Sequence, residues 1–266
     1  MTALAWLDGA LLPADGAALA IDDPGVRWGE GLFETMLARD GRILAFGAHL
    51  ERMSRSAGAL GLHPIAPPEH VREAVRAVLA EGAAPLVRVR VTATTRPTLL
   101  VEAGPLPAVE SGPLNAISLR GAWRPDDGLA EHKTLSFLGR RLAWRRAGAA
   151  GAGEALLLDG EGRLGEASRS NAFWVTGGRV ATAPVRGLLP GVTRQAVLGL
   201  AEVHEAVAAE DKWRAADEIF VTSAVSGLRP VVECDGRPVG DGLAGPVAGR
   251  LAAELEALAA REAESP

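Results

Sequence analysis

The chain contains no tyrosine, one cysteine, and, among 28 basic side chains, only two lysines, Lys133 and Lys212. Each scarcity excludes something. A single cysteine, Cys234, cannot form an internal disulfide, which fits a reducing cytoplasm. The opening stretch, MTALAWLDGALLPADG, has Asp8 and no basic segment, so it does not read as a secretory signal. No apolar run reaches the roughly 18 uncharged residues of a membrane span. Acidic side chains outnumber basic ones, 33 to 28, for a formal net charge of −5. That balance lacks the positive footprint needed to grip nucleic acid or an anionic membrane. The five histidines have no metal-ligand spacing, so no metal is expected.

The lysine scarcity is the most informative. The chain writes arginine almost everywhere, as a GC-rich, alanine-rich composition encourages. Where only positive charge is needed, arginine replaces lysine at little cost. It cannot replace lysine where chemistry needs a neutral amine, because guanidinium is essentially never deprotonated in proteins. Lys212, in AAEDKWRAADE, reads as a solvated surface charge. Lys133, in EHKTLSF, is followed by apolar Leu135, Phe137 and Leu138. On composition alone it is either an ordinary surface lysine or a partly buried, reactive amine.

What is present is a core: 48% hydrophobic residues in 266 suffice for one large domain or two smaller ones. In the first third, residues 32–38 and 42–45 read as strands joined by an Asp-Gly turn. A helix is expected over 46–60, with Leu50, Met53, Ala57 and Leu60 on one face. A second starts after Pro67-Pro68 and buries Val71, Val75, Val78 and Leu79. Residues 86–94 and 98–104 read as strands. The Pro/Gly-rich stretch 105–113 is the best domain boundary. Beyond it come a strand at NAISLRG, a helix over 136–148, and short strands at EALLLDGEGRLGEA and NAFWVTGGRVATA. A helix begins after Pro190-Gly191; strands follow at DEIFVTSAV and RPVVECDGRPVG, and a last helix at 243–260. The expected organisation is residues 1–104, a linker with first strand at 105–121, and 122–266.

Six segments in a fixed order then become specific: GEGLFETM (29–36), HLERMSRSA (49–57), HKTLSFL (132–138), EALLLDGEGRLGEASRSNAFWV (154–175), GLLPGVTRQAVL (187–198) and TSAVSGLRPV (222–231). Together they resemble the fold-type IV pyridoxal-phosphate enzymes: branched-chain aminotransferases, D-amino-acid aminotransferases and 4-amino-4-deoxychorismate lyases. The resemblance implies an α/β (α+β) fold of two domains, a smaller N-terminal α/β sandwich and a larger C-terminal barrel-like, cofactor-binding domain. It implies pyridoxal 5′-phosphate as cofactor, a small-molecule amine as substrate, and a homodimer, since family sites are completed across a subunit interface.

The resemblance also assigns roles. Lys133 becomes the amine that bonds the cofactor aldehyde and later moves a proton. Glu166, which alone reads as an exposed Glu after a turn, becomes the carboxylate facing the pyridine nitrogen. Gly191, Val192 and Thr193 begin a helix whose N–H groups suit a phosphate. Arg52, which alone reads as a solvated helix residue, becomes a phosphate-binding arginine. Ser223 and the backbone near Ala224 add a further phosphate contact. His132 receives no catalytic role, because adjacent residues on a strand point to opposite faces. His49 packs or caps, and Cys234, in a turn region, is inert.

The chain departs from the family in three places. Phe137 or Leu138 stands where many relatives have tyrosine. Leu37 stands where arginine follows the Thr of the FET motif by two positions. The segment RVRVTATTRPTLLV is shorter than in many relatives. Thr35 matches a threonine that assists pyruvate departure in the lyases, and Gly227-Leu228-Arg229-Pro230-Val231 also looks lyase-like. The first expectation is therefore 4-amino-4-deoxychorismate lyase, which yields the folate precursor 4-aminobenzoate. The alternatives are an aminotransferase for branched-chain or D-amino acids, and a catalytically silent pyridoxal-phosphate-binding protein.

Overall fold

The structure is a computed structural model that describes residues 4–63, 65–81, 84–106 and 112–266. The mixed α/β architecture expected from the sequence is what the chain forms. It divides into two compact units: Met1–Val109 with Lys133–Ser136 and Ala259–Pro266, and Glu110–His132 with Phe137–Leu258. The segment carrying Lys133 thus belongs to the first unit, not to the C-terminal block assigned to it from sequence. Two backbone hydrogen bonds explain why: Phe33 N–H donates to Lys133 O and Leu135 N–H to Gly31 O, both at 2.9 Å. Of the linker expected over 105–121, residues 107–111 lie outside those described.

The first unit contains β1 (Leu4–Leu7), β2 (Ala10–Pro13), α1 (Pro24–Trp28), β3 (Gly31–Arg39), β4 (Arg42–Leu44), α2 (Phe46–Leu60), α3 (Pro68–Glu81), β5 (Leu86–Thr94) and β6 (Leu99–Pro105). Its seven-stranded sheet runs from a short strand at Ala263–Glu264 through β4, β3, β5, β6 and β1 to β2. Alternation along β3 decides its faces. Leu32, Met36 and Ala38 join Val87, Val89, Val91, Val101 and the buried faces of α2 and α3 in one core. Phe33, Thr35 and Leu37 point the other way.

Helix α2 lies over 46–60, as its periodicity predicts. It ends at Gly61 in the left-handed conformation, φ 64°. Its start is unusual: Ala45, the preceding residue, has φ 52° and its side chain cannot cap the helix. The Glu264 carboxylate accepts from Gly47 N–H instead, with both oxygens at 3.2–3.3 Å. The C-terminal strand therefore substitutes for a local cap.

The second unit contains β7 (Leu114–Leu119), α4 (Leu138–Ala149), β8 (Glu154–Leu158), β9 (Leu164–Ala167), β10 (Asn171–Thr176), β11 (Arg179–Thr182), α5 (Val192–Leu200), β12 (Val203–Glu205), α6 (Glu210–Arg214), β13 (Glu218–Ser223), β14 (Gly227–Cys234), β15 (Arg237–Pro238) and α7 (Pro246–Glu262). The sheet order is β12-β11-β10-β13-β14-β7-β8-β9, with β15 paired to β14. Joints β11–β12, β14–β7 and β7–β8 are parallel. Phe173 and Phe220, cross-strand partners on β10 and β13, stack with centroids 4.8 Å apart. They share a core with Val197 of α5 and with Ala248, Leu251 and Leu255 of α7. Cys234 is the buried last residue of β14 rather than part of the turn, which begins at Asp235.

Candidate active site

In the first unit the site is built around the β3 strand. Segment 133–136 runs beside its start, with a bridge between Leu32 and Thr134. This is a single bridge, not the regular strand on which the alternation argument for His132 depends. Close approach there requires Gly31: a Cβ would meet the Ala93 carbonyl oxygen at 2.6 Å and Leu135 Cδ1 at 2.7 Å. The second glycine of GEGLFET is thus what lets the lysine segment lie against β3.

The Lys133 amine sits 4.4 Å from the centroid of the Phe33 ring. The Arg90 guanidinium lies 4.0 Å from the same centroid. One buried aromatic therefore lies against both nitrogen groups. Phe33, Thr35 and Leu37 pair across the ladder with Thr92, Arg90 and Arg88. Thr35 is thus on the face that carries the Phe33 ring, opposite the helices. Arg88 sits directly across from Leu37. Its Nε is buried, with no hydrogen-bond partner among the described residues. The arginine that the family places at position 37 is absent, but the neighbouring strand supplies one a cross-strand distance away.

Arg52 is not a solvated helix residue. It is 5% exposed and is clamped by the buried Glu34 carboxylate. Arg52 Nε donates to Glu34 Oε1 at 2.8 Å, and Nη2 donates to Oε2 at 2.5 Å. His49 Nδ1 meets Glu34 Oε2 at 2.8 Å, so His49 has a structural partner and packs, as expected. Burial would raise the Glu34 carboxyl. The Arg52 charge and the His49 hydrogen bond outweigh it and bring the group to about 2. Glu34 lies on the core-facing side of β3, beside α2, because it alternates with Phe33 and Thr35.

In the second unit Glu166, on β9, is 2% exposed rather than a surface residue after a turn. It accepts a short hydrogen bond from Arg140 Nη2 of α4. Glu154 is buried as well, but neutral or backbone donors hold it: the Ser168 hydroxyl, the Ser170 hydroxyl at 3.0 Å and Ala155 N–H at 3.0 Å.

Helix α5 begins where expected, with Gly191 before Val192 and Thr193, and glycine offers no side chain to cap it. Asn171 packs against this start. Its Nδ2 donates to Leu189 O at 2.9 Å, and a Cβ on Gly191 would lie 2.0 Å from its Oδ1. Thr222 pairs with Asn171 across β13 and β10. The Thr222 hydroxyl is fully buried, with no partner among the described residues. The Ser223 hydroxyl is committed to the turn into β14. It meets Ser226 Oγ at 2.6 Å and accepts from Ser226 N–H at 3.1 Å. Ala224 offers backbone alone.

Sequence reasoning missed Phe33, Glu34, Arg90, Arg140, Asn171 and Thr222. Glu34 and Phe33 precede Thr35 within the quoted motif, and Asn171 ends SRSN, so proximity was the available signal. Nothing in the sequence announced Arg140.

These two sheets and their buried charges define a class of protein known from comparison. The family model described as amino-transferase class IV matches residues 31–234, and the chain belongs to that family. Among curated relatives, D-alanine aminotransferase of Staphylococcus haemolyticus is 29% identical over 92% of this chain and 94% of its own length. Branched-chain-amino-acid aminotransferase-like protein 2 of Arabidopsis thaliana is 28% identical over 93% of this chain; the chain spans about half, 49%, of that protein. Among solved structures, a branched-chain amino acid aminotransferase complexed with N-(5′-phosphopyridoxyl)-L-glutamate superposes with a TM-score of 0.88. It is 30% identical, with 98% of this chain and 95% of that one covered. The branched-chain aminotransferase of the archaeon Thermoproteus uzoniensis, solved with norvaline, superposes with a TM-score of 0.84 at 27% identity, with 95% of this chain and 93% of that one covered.

Proposed function

We propose that this chain is a pyridoxal-phosphate-dependent aminotransferase acting on a branched-chain or D-amino acid. The observation that carries the reading is the shared ring: the Lys133 amine and the Arg90 guanidinium both rest on Phe33. A substrate that presents an amine beside a carboxylate meets a reactive nitrogen and a fixed cation in one place. Arg88, two residues along on the same face, adds a second guanidinium, whose Nε has no partner among the described residues.

The residues present suit the cofactor. The helix start at Gly191–Thr193, the Thr193 hydroxyl and the orphaned Thr222 hydroxyl suit a phosphate monoester. A buried carboxylate, Glu166, suits a ring nitrogen, and Lys133 suits an aldehyde. When bound, pyridoxal phosphate supplies that aldehyde and a ring that withdraws electrons from the carbon bearing the substrate amine. The Lys133 amine would hold the cofactor through its aldehyde and would also be the group that takes a proton from the substrate carbon. Arg52 offers N–H groups rather than an unmatched charge, because Glu34 already balances it.

The lyase expectation gives way to the aminotransferase. Its support is Thr35 and the Gly227–Val231 segment. The named relatives are aminotransferases, and Arg88 fills the cationic role that Leu37 left open. The protein works as a homodimer, which a gel-filtration mass of two chains would support.

The test uses purified protein loaded with pyridoxal phosphate. Borohydride treatment should fix the cofactor on Lys133, located by peptide mass. Keto-acid formation from a panel of D- and L-amino acids should then be measured, with 2-oxoglutarate or pyruvate as acceptor. Release of 4-aminobenzoate and pyruvate from aminodeoxychorismate, without amino-acid turnover, restores the lyase. A label on Lys133 with neither activity indicates a silent binding protein.

A further inference from the structure

We propose that Arg140 is a positioning residue that competes with the cofactor's ring nitrogen for the charge of Glu166, so that this nitrogen holds its proton less firmly than an unshared carboxylate would make it. The inference rests on the cofactor reading above. It concerns a residue to which the sequence motifs assign no role.

The geometry separates two buried carboxylates of the second unit. Glu154 is satisfied by two serine hydroxyls and a backbone N–H. Among the described residues those donors are dipoles, not cations. Glu166 receives the Arg140 guanidinium directly, in an ion pair whose side chains are 2% and 19% exposed. The carboxylate assigned to the ring nitrogen is therefore the one that already has a full positive charge against it.

Arg140 is placed to stay. It lies in the first turn of α4, with Nη1 3.5 Å from the Ala167 carbonyl oxygen and its Cζ 5.8 Å from the Phe137 ring centroid. Burial opposes its charge. The Glu166 charge and hydrogen bond, with Asp127 and Glu154 farther out, outweigh burial and raise its pKa. Arg140 therefore remains a cation at every pH at which the protein is folded.

A carboxylate stabilises a protonated ring nitrogen by offering uncompensated negative charge. A cation hydrogen-bonded to that carboxylate offsets part of the charge, and the effect on a neighbouring titration is about one pH unit or more at such range. Arg140 also aims Glu166 by binding Oε1. A lysine could supply the charge, but not the planar fork that reaches both Glu166 and Ala167 O.

The test reads the ring nitrogen directly. Nitrogen-15-labelled pyridoxal phosphate is bound to wild type, Arg140→Gln and Arg140→Lys, and the ring nitrogen shift is followed against pH. In Arg140→Gln the nitrogen should lose its proton about one pH unit higher than in wild type. In Arg140→Lys, which keeps the charge, it should titrate close to wild type. No difference between Arg140→Gln and wild type overturns the proposal, as does an equal rise in both variants. A wild-type nitrogen that stays fully protonated throughout the folded pH range overturns it without any variant. Borohydride labelling of Lys133 is checked first. If it fails, the cofactor reading falls. If it succeeds and the titrations coincide, the Arg140 inference alone falls.

Discussion

Glu34 and Arg52 form a two-point ion pair in the dry face of the first sheet, Nε to Oε1 at 2.8 Å and Nη2 to Oε2 at 2.5 Å. The pair joins a strand residue to a helix residue 18 positions later, and His49 closes it from the same helix. A charge this buried is stable only while its partner is present.

The first prediction concerns acid stability. The Glu34 carboxyl titrates near 2 in the folded protein, against an ordinary value of 4.5. Its contribution, on the order of 3 kcal/mol, is complete above about pH 4.5 and disappears as pH falls through 2. Urea midpoints of wild type and Glu34→Gln should differ most near neutral pH and converge toward about pH 2. A gap that does not change with pH sinks this account.

Thr222→Val makes an opposite-signed pair of outcomes. The hydroxyl is buried without a partner among the described residues, so the apoprotein should gain about 1 kcal/mol when it is removed. Affinity for pyridoxal phosphate should fall, about tenfold. Thermal melts with and without cofactor measure both. A less stable apoprotein with unchanged affinity would show that Thr222 serves the core alone.

Gly191→Ala should displace Asn171, whose Oδ1 would lie 2.0 Å from the new Cβ. The loss should appear as weaker cofactor binding, by about tenfold or more. Fluorescence titration with pyridoxal phosphate reads it; an unaltered dissociation constant would mean that the helix start is not part of the cofactor site.

Cys234 should resist alkylation. Burial first, then the Asp235 charge, push its thiol up to about 12 from an ordinary 9.0, against the opposing pull of Arg214. The thiolate is scarce at neutral pH, so iodoacetamide should label the unfolded protein and leave the native one unmodified. Because the unfolded chain releases this proton at about pH 9 and the folded chain only near 12, stability falls as pH rises from about 9 toward 12. Rapid labelling of native protein at neutral pH contradicts this.

Glu264→Ala removes the side chain that holds the start of α2 from 217 positions away. A cost of about 1 kcal/mol is expected from the lost cap. Because α2 carries Arg52 and His49, hydrogen exchange at Gly47 and its neighbours should quicken as well. Unchanged exchange there would separate the C-terminal strand from the helix it caps.

Much of the architecture was legible because local rules suffice for it. The spacing of Leu50, Met53 and Ala57 placed α2, and the Asp-Gly turn separated β3 from β4. Legibility failed where the deciding partner was far along the chain. Arg52 and Glu166 read as surface charges because each is buried by a residue that the local pattern does not contain, Glu34 and Arg140. Leu37 read as a missing arginine because Arg88 is adjacent only through the β3–β5 ladder.

By itself the sequence determined that Lys133 stands beside apolar residues in a chain that otherwise writes arginine, and that six motifs stand in order around it. It also determined most helices and strands, through periodicity and turn residues that act over a few positions. The tertiary structure decided which charges meet. It put Lys133 and Arg90 on one ring, paired Glu34 with Arg52 and Arg140 with Glu166, and buried the Thr222 hydroxyl away from any partner among the described residues. Those outcomes depend on desolvation and on distance in space, and neither is a property of neighbouring residues along a chain.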